Sequence, residues 1–183
     1  LFRSVKLGRI IPPDDDIVAK HFQMVQSGLY RMGIEQYEVS NFARPGWEAK
    51  HNSAYWNHEN YVGLGPAAHS FWWNEDTKSA QRWNNKRDLN SYLKGDWRSG
   101  SESEHLNLLT LVEERLMLGL RTRKGISEEE LQKKYDFKFS TKQLEFLQKK
   151  KEEELIEFEK GQLSLTKKGL LIADLIVLDL ITA

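Results

Sequence analysis

The chain has 183 residues, 39% of them apolar and 30% charged, with 27 basic side chains against 27 acidic ones and no cysteine. That length holds one domain, or two small ones, with a genuine core, and the composition is that of an ordinary water-soluble protein rather than a disordered chain. Zero net charge argues against a chain whose main task is gripping nucleic-acid phosphates or an anionic membrane. Without cysteine the chain has no disulfide, zinc–thiolate site, thiol nucleophile or cysteine-ligated iron–sulfur cluster. No apolar run approaches the roughly 20 residues of a bilayer span, and no signal-like segment opens the chain. It starts at Leu1 rather than Met. The expectation is a cytoplasmic protein, and a fragment of a longer one.

In chain order, Pro12-Pro13 bars a helix, and Asp14 to Asp16 supply the carboxylates that favour a helix N-terminus. Val18, Phe22, Val25, Leu29 and Met32 then recur at steps of four and three, an apolar helical stripe that Gly33 stops. Ile34 to Ser40 reads as a short strand before the Pro45-Gly46 turn. Helix, glycine turn and strand make the αβ half of a repeating βα unit, in which ligands are met just past the strand's carboxyl end. Here that means Ser40 onward.

The following stretch is rich in aromatics: Trp47, Tyr55, Trp56, Tyr61, Phe71, Trp72, Trp73 and Trp83 fall within 37 residues, beside His51, His58, His69 and the Gly63-Leu-Gly65-Pro66 loop. It reads as a long, irregular binding loop. The histidines, spaced seven and eleven apart, make no compact zinc pattern. A glycine loop followed by Pro66 lacks the helix of a dinucleotide site, although it lets a flat ligand approach closely. An imidazole beside Tyr55 and Trp56 suits a planar ligand with a metal at its centre, such as haem, which needs an axial donor and flat apolar walls.

Asn84 to Lys94 reads as a short helix and Gly95 to Ser103 as a polar linker. From Glu104 the pattern changes. Leu109, Val112, Leu116 and Leu120 mark a helix; Ser127 with Glu128 to Glu130 opens a second; Ser140 to Gln143 opens a third, with Leu144 and Leu147 behind it. Leu155 to Phe158 and Leu163 to Leu165 flank Glu159-Lys-Gly-Gln162 as a β-hairpin. Thr166 caps a last helix with Leu170, Leu171, Leu175 and Leu178. Three helices, a hairpin and a closing helix have a winged-helix order. A basic helix from Thr141 to Lys151 could enter a DNA groove, but Glu152 to Glu154 follow at once and repel phosphates, so a packing or docking module is the better reading.

Three blocks carry a family resemblance: Glu35-Gln-Tyr-Glu-Val-Ser-Asn-Phe-Ala-Arg-Pro-Gly46, His51-Asn-Ser-Ala-Tyr-Trp56, and Tyr61-Val-Gly-Leu-Gly-Pro-Ala-Ala-His-Ser70. Together they resemble the HemW-type haem chaperones of the oxygen-independent coproporphyrinogen III oxidase family, in the radical S-adenosylmethionine superfamily. Val112 to Arg121 and Leu165 to Leu170 are similar to that family's C-terminal domain. The resemblance implies an α+β fold: the last part of a (β/α) barrel with its binding loop over residues 1–75, a connecting segment over 76–103, and a mostly helical, winged-helix-like domain with a hairpin over 104–183. It implies haem binding at His51, Asn52, Tyr55 and Trp56, with His51 as axial ligand to the iron, and an S-adenosylmethionine region at Gly63, Gly65 and His69. The family's CxxxCxxC motif lies ahead of these blocks. The chain therefore reads as a C-terminal part that leaves the [4Fe–4S] cluster and S-adenosylmethionine chemistry to a longer parent, and is catalytically inactive alone. The implied partners are haem or another tetrapyrrole, the N-terminal remainder of the barrel and a membrane haem protein as acceptor, with no nucleic acid. An oxidase that decarboxylates coproporphyrinogen is the first alternative; a winged-helix interaction module is the second.

Overall fold

The computed structural model describes residues 2–95 and 102–183 and divides into two compact units, 1–48 and 49–183. The chain is mixed helix and sheet throughout. The first unit holds helices α1 (Phe2–Lys6) and α2 (Asp15–Arg31) and the short strands β1 (Glu35–Gln36) and β2 (Phe42–Ala43). Asp14 caps α2, its carboxylate accepting from Asp16 N at 2.9 Å. Gly33 follows the helix at φ 72°, a left-handed turn that costs glycine nothing. The expected stripe is only half used: Phe22 meets the ring of Phe42 at 6.2 Å, while Val18, Val25 and Met32 stay exposed.

The strand expected over Ile34–Ser40 is shorter than its pattern. Only Glu35 and Gln36 pair, antiparallel to Ala43 and Phe42, because the chain turns back at once through Tyr37 N donating to Asn41 O. Glu38 lies in that turn, buried, with Oε2 accepting from Ser40 N at 3.1 Å and Oε1 unpartnered.

The second unit opens with α3 (Lys50–Trp56) and continues into an antiparallel sheet, β3 (His69–Asn74), β4 (Ser79–Asn84) and β5 (Ser103–Leu106), in that spatial order. The aromatic stretch is thus regular at its two ends, in α3 and in β3–β4, and irregular only between them, over 57–68. Alternation decides it: Phe71 and Trp73 point to one face with Ala80 and Leu106 and are buried there, while Trp72 faces out. The short helix expected over Asn84–Lys94 is α4 (Leu89–Leu93). Asn84 belongs to β4, and the helix starts where the Asp88 carboxylate accepts from Ser91 N at 2.8 Å. Most of the expected linker, residues 96–101, lies outside the described residues, and its end forms β5.

Next come α5 (Leu108–Gly119), β6 (Ile126–Ser127), α6 (Glu128–Tyr135), α7 (Thr141–Glu152), β7 (Ile156–Glu159), β8 (Gln162–Leu165), α8 (Lys167–Leu170) and α9 (Ala173–Thr182). The predicted starts are where the caps put them. Ser127 and Ser140 each accept from the backbone three residues on, and Gln143 completes a capping box. Strands β7 and β8 join through Lys160-Gly161 at φ 52° and 75°, the left-handed pair of a two-residue hairpin turn. Strand β8 also pairs with β6, giving a sheet in the order β6-β8-β7.

Two helix faces differ from expectation. On α5 the core face is Leu111, Val112, Arg115, Leu116 and Gly119, and Leu109 is exposed. The closing helix breaks into α8 and α9, which bury Leu170, Ala173, Ile176, Val177 and Leu180 and leave Leu171, Leu175 and Leu178 outside. Both segments are apolar nearly all round, so periodicity alone cannot select the buried side.

Candidate functional site

The seven residues of α3 hold the whole His51-Asn-Ser-Ala-Tyr-Trp56 motif on a helix, not in a loop. Helical spacing splits it into two faces. His51 and Tyr55, four apart, share the exposed one, with Tyr55 Oη and His51 Nε2 hydrogen-bonded at 3.1 Å and the rings edge to face at 5.0 Å. Tyr55 also meets Tyr61 edge to face at 4.7 Å, and Tyr61 stacks on buried Phe71. Asn52 and Trp56 are half-buried; the indole Nε1 of Trp56 is buried without a partner.

The Trp56 carbonyl anchors the end of this helix. It accepts from Arg115 Nη1 of α5 at 3.3 Å. Arg115 is only 4% exposed and reaches Glu130 of α6 with Nε at 2.7 Å and Nη2 at 3.0 Å, a two-pronged guanidinium–carboxylate pair. Burial pushes the Glu130 carboxyl up, but the hydrogen bonds and charge of Arg115 outweigh it and hold it below the usual carboxylate range.

Directly after α3 the chain turns through His58 at φ 58° and buries this imidazole to 5% exposure. His58 stacks on Phe71 at 4.5 Å and bonds through Nδ1 to the hydroxyl of Tyr135 in α6 at 3.2 Å. Its Nε2 lies 3.3 Å from Glu114 Oε2, off the line of a good hydrogen bond. Glu114 is held instead by Arg82 of β4 through two bonds of 2.7 and 2.6 Å. Burial lowers the His58 pKa below the ordinary 6.5, overriding the attraction of Glu114. Burial also pushes Glu114 up, and the nearby His58 together with the bonds and charge of Arg82 more than offsets this, leaving it low. Lys134 stands over the rings of Trp73 and Tyr135 at 5.2 and 5.4 Å. The end of α3 and the turn after it are therefore tied to α5 and α6, and through Glu114 and Arg82 to β4, by a partly buried polar cluster. Sequence reading missed that cluster. Its signal was a charged residue, Arg115, falling on the core face of α5 four residues after Leu111 and three after Val112.

The glycine loop is a closed piece of backbone. Gly63 N donates to Ser70 Oγ at 2.9 Å, Asn85 Nδ2 donates to Gly63 O and Gly65 O at 3.1 and 2.9 Å, and Gly65 N donates to Tyr92 Oη at 2.9 Å. A Cβ on Gly63 would overlap the His69 carbonyl oxygen, so glycine is required there by space. His69 begins β3, exposed and paired with Asn84, on a different element from His51. Among the described residues no cluster of three or more His, Asp or Glu side chains is placed to hold a metal ion, and no helix is long and apolar enough to cross a membrane. A cysteine-ligated cluster does not fit a chain without cysteine. A haem iron does fit the surface pair on α3, because imidazole nitrogen and phenol oxygen are both established haem-iron donors.

Residues 106–172 match the HemN C-terminal domain family. The heme chaperone HemW of Mycobacterium tuberculosis is 31% identical over 184 residues, covering 99% of this chain and 44% of that protein. HemW of Bacillus subtilis is 31% identical over 134 residues, 73% of this chain and 35% of the relative. The mitochondrial radical S-adenosyl methionine domain-containing protein 1 of Bos taurus is 31% identical over 193 residues, 100% of this chain and 43% of the relative. Among solved structures, the radical SAM enzyme coproporphyrinogen III oxidase (HemN) of Escherichia coli matches with a TM-score of 0.64 at 16% identity, over 93% of this chain and 42% of that one, a likeness of fold. The chain spans less than half the length of these relatives.

Proposed function

Because the chain belongs to the family of HemW-type haem chaperones and HemN-like oxygen-independent coproporphyrinogen III oxidases, and corresponds to its C-terminal portion, we propose that α3 is a haem-handling surface used to bind haem and pass it on. The observation that carries this is the exposed His51–Tyr55 pair, two side chains of iron-donor type hydrogen-bonded at 3.1 Å on a helix whose last carbonyl is anchored by buried Arg115. Surface placement suits cargo that must leave again; a resident prosthetic group is held by enclosing walls. Asn52 and Trp56 act as supporting residues on the inner face. Gly63, Gly65 and His69 belong to the S-adenosylmethionine region of a whole family member, where a cluster held outside this chain would supply the reductive chemistry. The segment 1–75 represents the end of the family barrel, and the helices and hairpin of 104–183 a winged-helix-like packing module. A membrane haem protein is the proposed acceptor.

The test is titration of the 183-residue chain with ferric haem, followed by the Soret band. A saturable shift that metal-free coproporphyrin neither reproduces nor competes away supports haem handling. Stronger binding of the metal-free tetrapyrrole favours the oxidase reading instead, and no binding of either removes the haem role.

A further inference from the structure

We infer that Arg115 of α5 is a positioning residue for the haem surface: its bond to the Trp56 carbonyl keeps α3 helical, and only a helical α3 holds His51 and Tyr55 together. The inference deepens the haem-handling reading above and rests on it.

Little in the sequence of α3 explains why it is a helix. It has seven residues and none is fully buried; its N-cap residue, Ala49, makes no side-chain cap bond, and its first turn carries no acidic residue. Lys50 opens it, at the end where the helix dipole disfavours positive charge. Helices shorter than about 12–15 residues are marginal in water without tertiary support. Among the described residues, the hydrogen bond that ties the α3 backbone to another element runs from Arg115 Nη1 to the Trp56 carbonyl, at 3.3 Å. That carbonyl is one of the last in the helix, which have no partner within it.

The guanidinium is seated to make this bond. Glu130 engages Nε and Nη2 at 2.7 and 3.0 Å, which leaves Nη1 for α3. One turn along α5 stands Gly119, buried on the core face of a helix, where glycine is costly. A Cβ at that position would overlap Arg115 Nη1 as well as Ile126 Cγ2, so the glycine clears the space that Nη1 occupies. A carboxylate and a missing side chain thus aim one donor at the end of α3. The His51–Tyr55 pair depends on that donor, because residues four apart face each other only on a helix. Their Cα atoms rise about 6 Å along a helix axis and spread to about 13 Å in an extended chain. A helix ordered in advance also spares haem the cost of ordering it on binding. The grip on haem is therefore set from α5 and α6, which contain no residue of the α3 motif.

The experiment has a haem-free and a haem-loaded arm, both on the full 183-residue chain. Wild type is compared with Arg115→Met and with Arg115→Lys, which keeps a cation beside Glu130 but has no fork to serve two acceptors. The third variant is Leu147→Ala, which opens a cavity in α7, an element that carries no part of the clamp. Each is studied below its own melting temperature. Without haem, the Cα chemical shifts of residues 50–56 report helix content. Both Arg115 variants are expected to move toward coil values there and to keep wild-type shifts in the β7–β8 hairpin, whereas Leu147→Ala keeps a helical α3. With haem, transfer of the ferric form to apomyoglobin is expected to run about 10- to 100-fold faster from the Arg115 variants, the usual penalty for losing an outer partner that orients a ligand. Leu147→Ala releases haem at the wild-type rate. A helical α3 in both Arg115 variants overturns the inference, and so does an equal loss of helix in Leu147→Ala. Unwinding without faster haem release overturns the positioning role. Wild type that binds no haem removes the haem-handling reading instead, whichever way the shifts move.

Discussion

His58 shows how much one residue's surroundings decide. Its spacing from His51 and His69 says only that it joins no compact zinc pattern, and burial between Phe71, Tyr135 and Glu114 makes it a core group whose charged form is disfavoured. Its folded pKa is depressed below the unfolded 6.5. Between the two values the unfolded chain carries a proton that the folded chain does not, so stability is full above 6.5 and falls as pH drops below it. Glu114 and Glu130, depressed below 4.5, add their own loss only at lower pH. Thermal melts at pH 7.5 and 5.5 should therefore show a clear drop for wild type and a smaller one for His58→Gln, which cannot titrate. Equal drops would remove His58 as the source. Gly63 is decided by space. Gly63→Ala forces a methyl group into the His69 carbonyl, and the unfolding midpoint in urea should report a loss of about 1–3 kcal/mol, the range for overpacking.

At the scale of elements, Arg115 joins three of them, bonding the end of α3 and the Glu130 carboxylate of α6 from the middle of α5. Arg115→Met strands Glu130 beside the core and frees the Trp56 carbonyl. Because Glu130 keeps a third of its side-chain surface in water, the expected cost is about 3 kcal/mol, the low end for breaking a buried pair. Combining it with Glu130→Gln in a double-mutant cycle should recover about 0.5–3 kcal/mol as coupling. Additive single effects would mean that the pair acts only through its separate contacts.

For the whole molecule, the buried apolar residues among those described lie between Phe71 and Leu180, within the second unit, whereas in the first unit α2 buries no residue. Hydrophobic burial is the main stabilising force. Residues 49–183 alone should therefore melt cooperatively and bind ferric haem like the whole chain, because α3 and its anchors are all in that unit. A non-cooperative melt of 49–183 would show that the first 48 residues complete the core.

What the sequence determined by itself was whatever neighbouring residues decide. Asp14, Ser127, Ser140 and Thr166 marked helix starts, and Lys160-Gly161 marked a hairpin, because caps and turns are settled within three or four residues. The family was legible in the same way, from contiguous motifs. Tertiary structure decided the rest. It chose the buried sides of α5 and α9, whose apolar residues run nearly all round the helix. It split the aromatic stretch into a core face and an outer face, and it kept β1 to two residues for want of a longer partner. It also built the polar cluster, whose members meet across 59 residues from Trp56 to Arg115 and 77 from His58 to Tyr135. The motif on α3 sits between these two cases. Its four-residue spacing put His51 and Tyr55 side by side, but the hydrogen bond between them and the division of the motif into an exposed and a half-buried face are set by the folded helix.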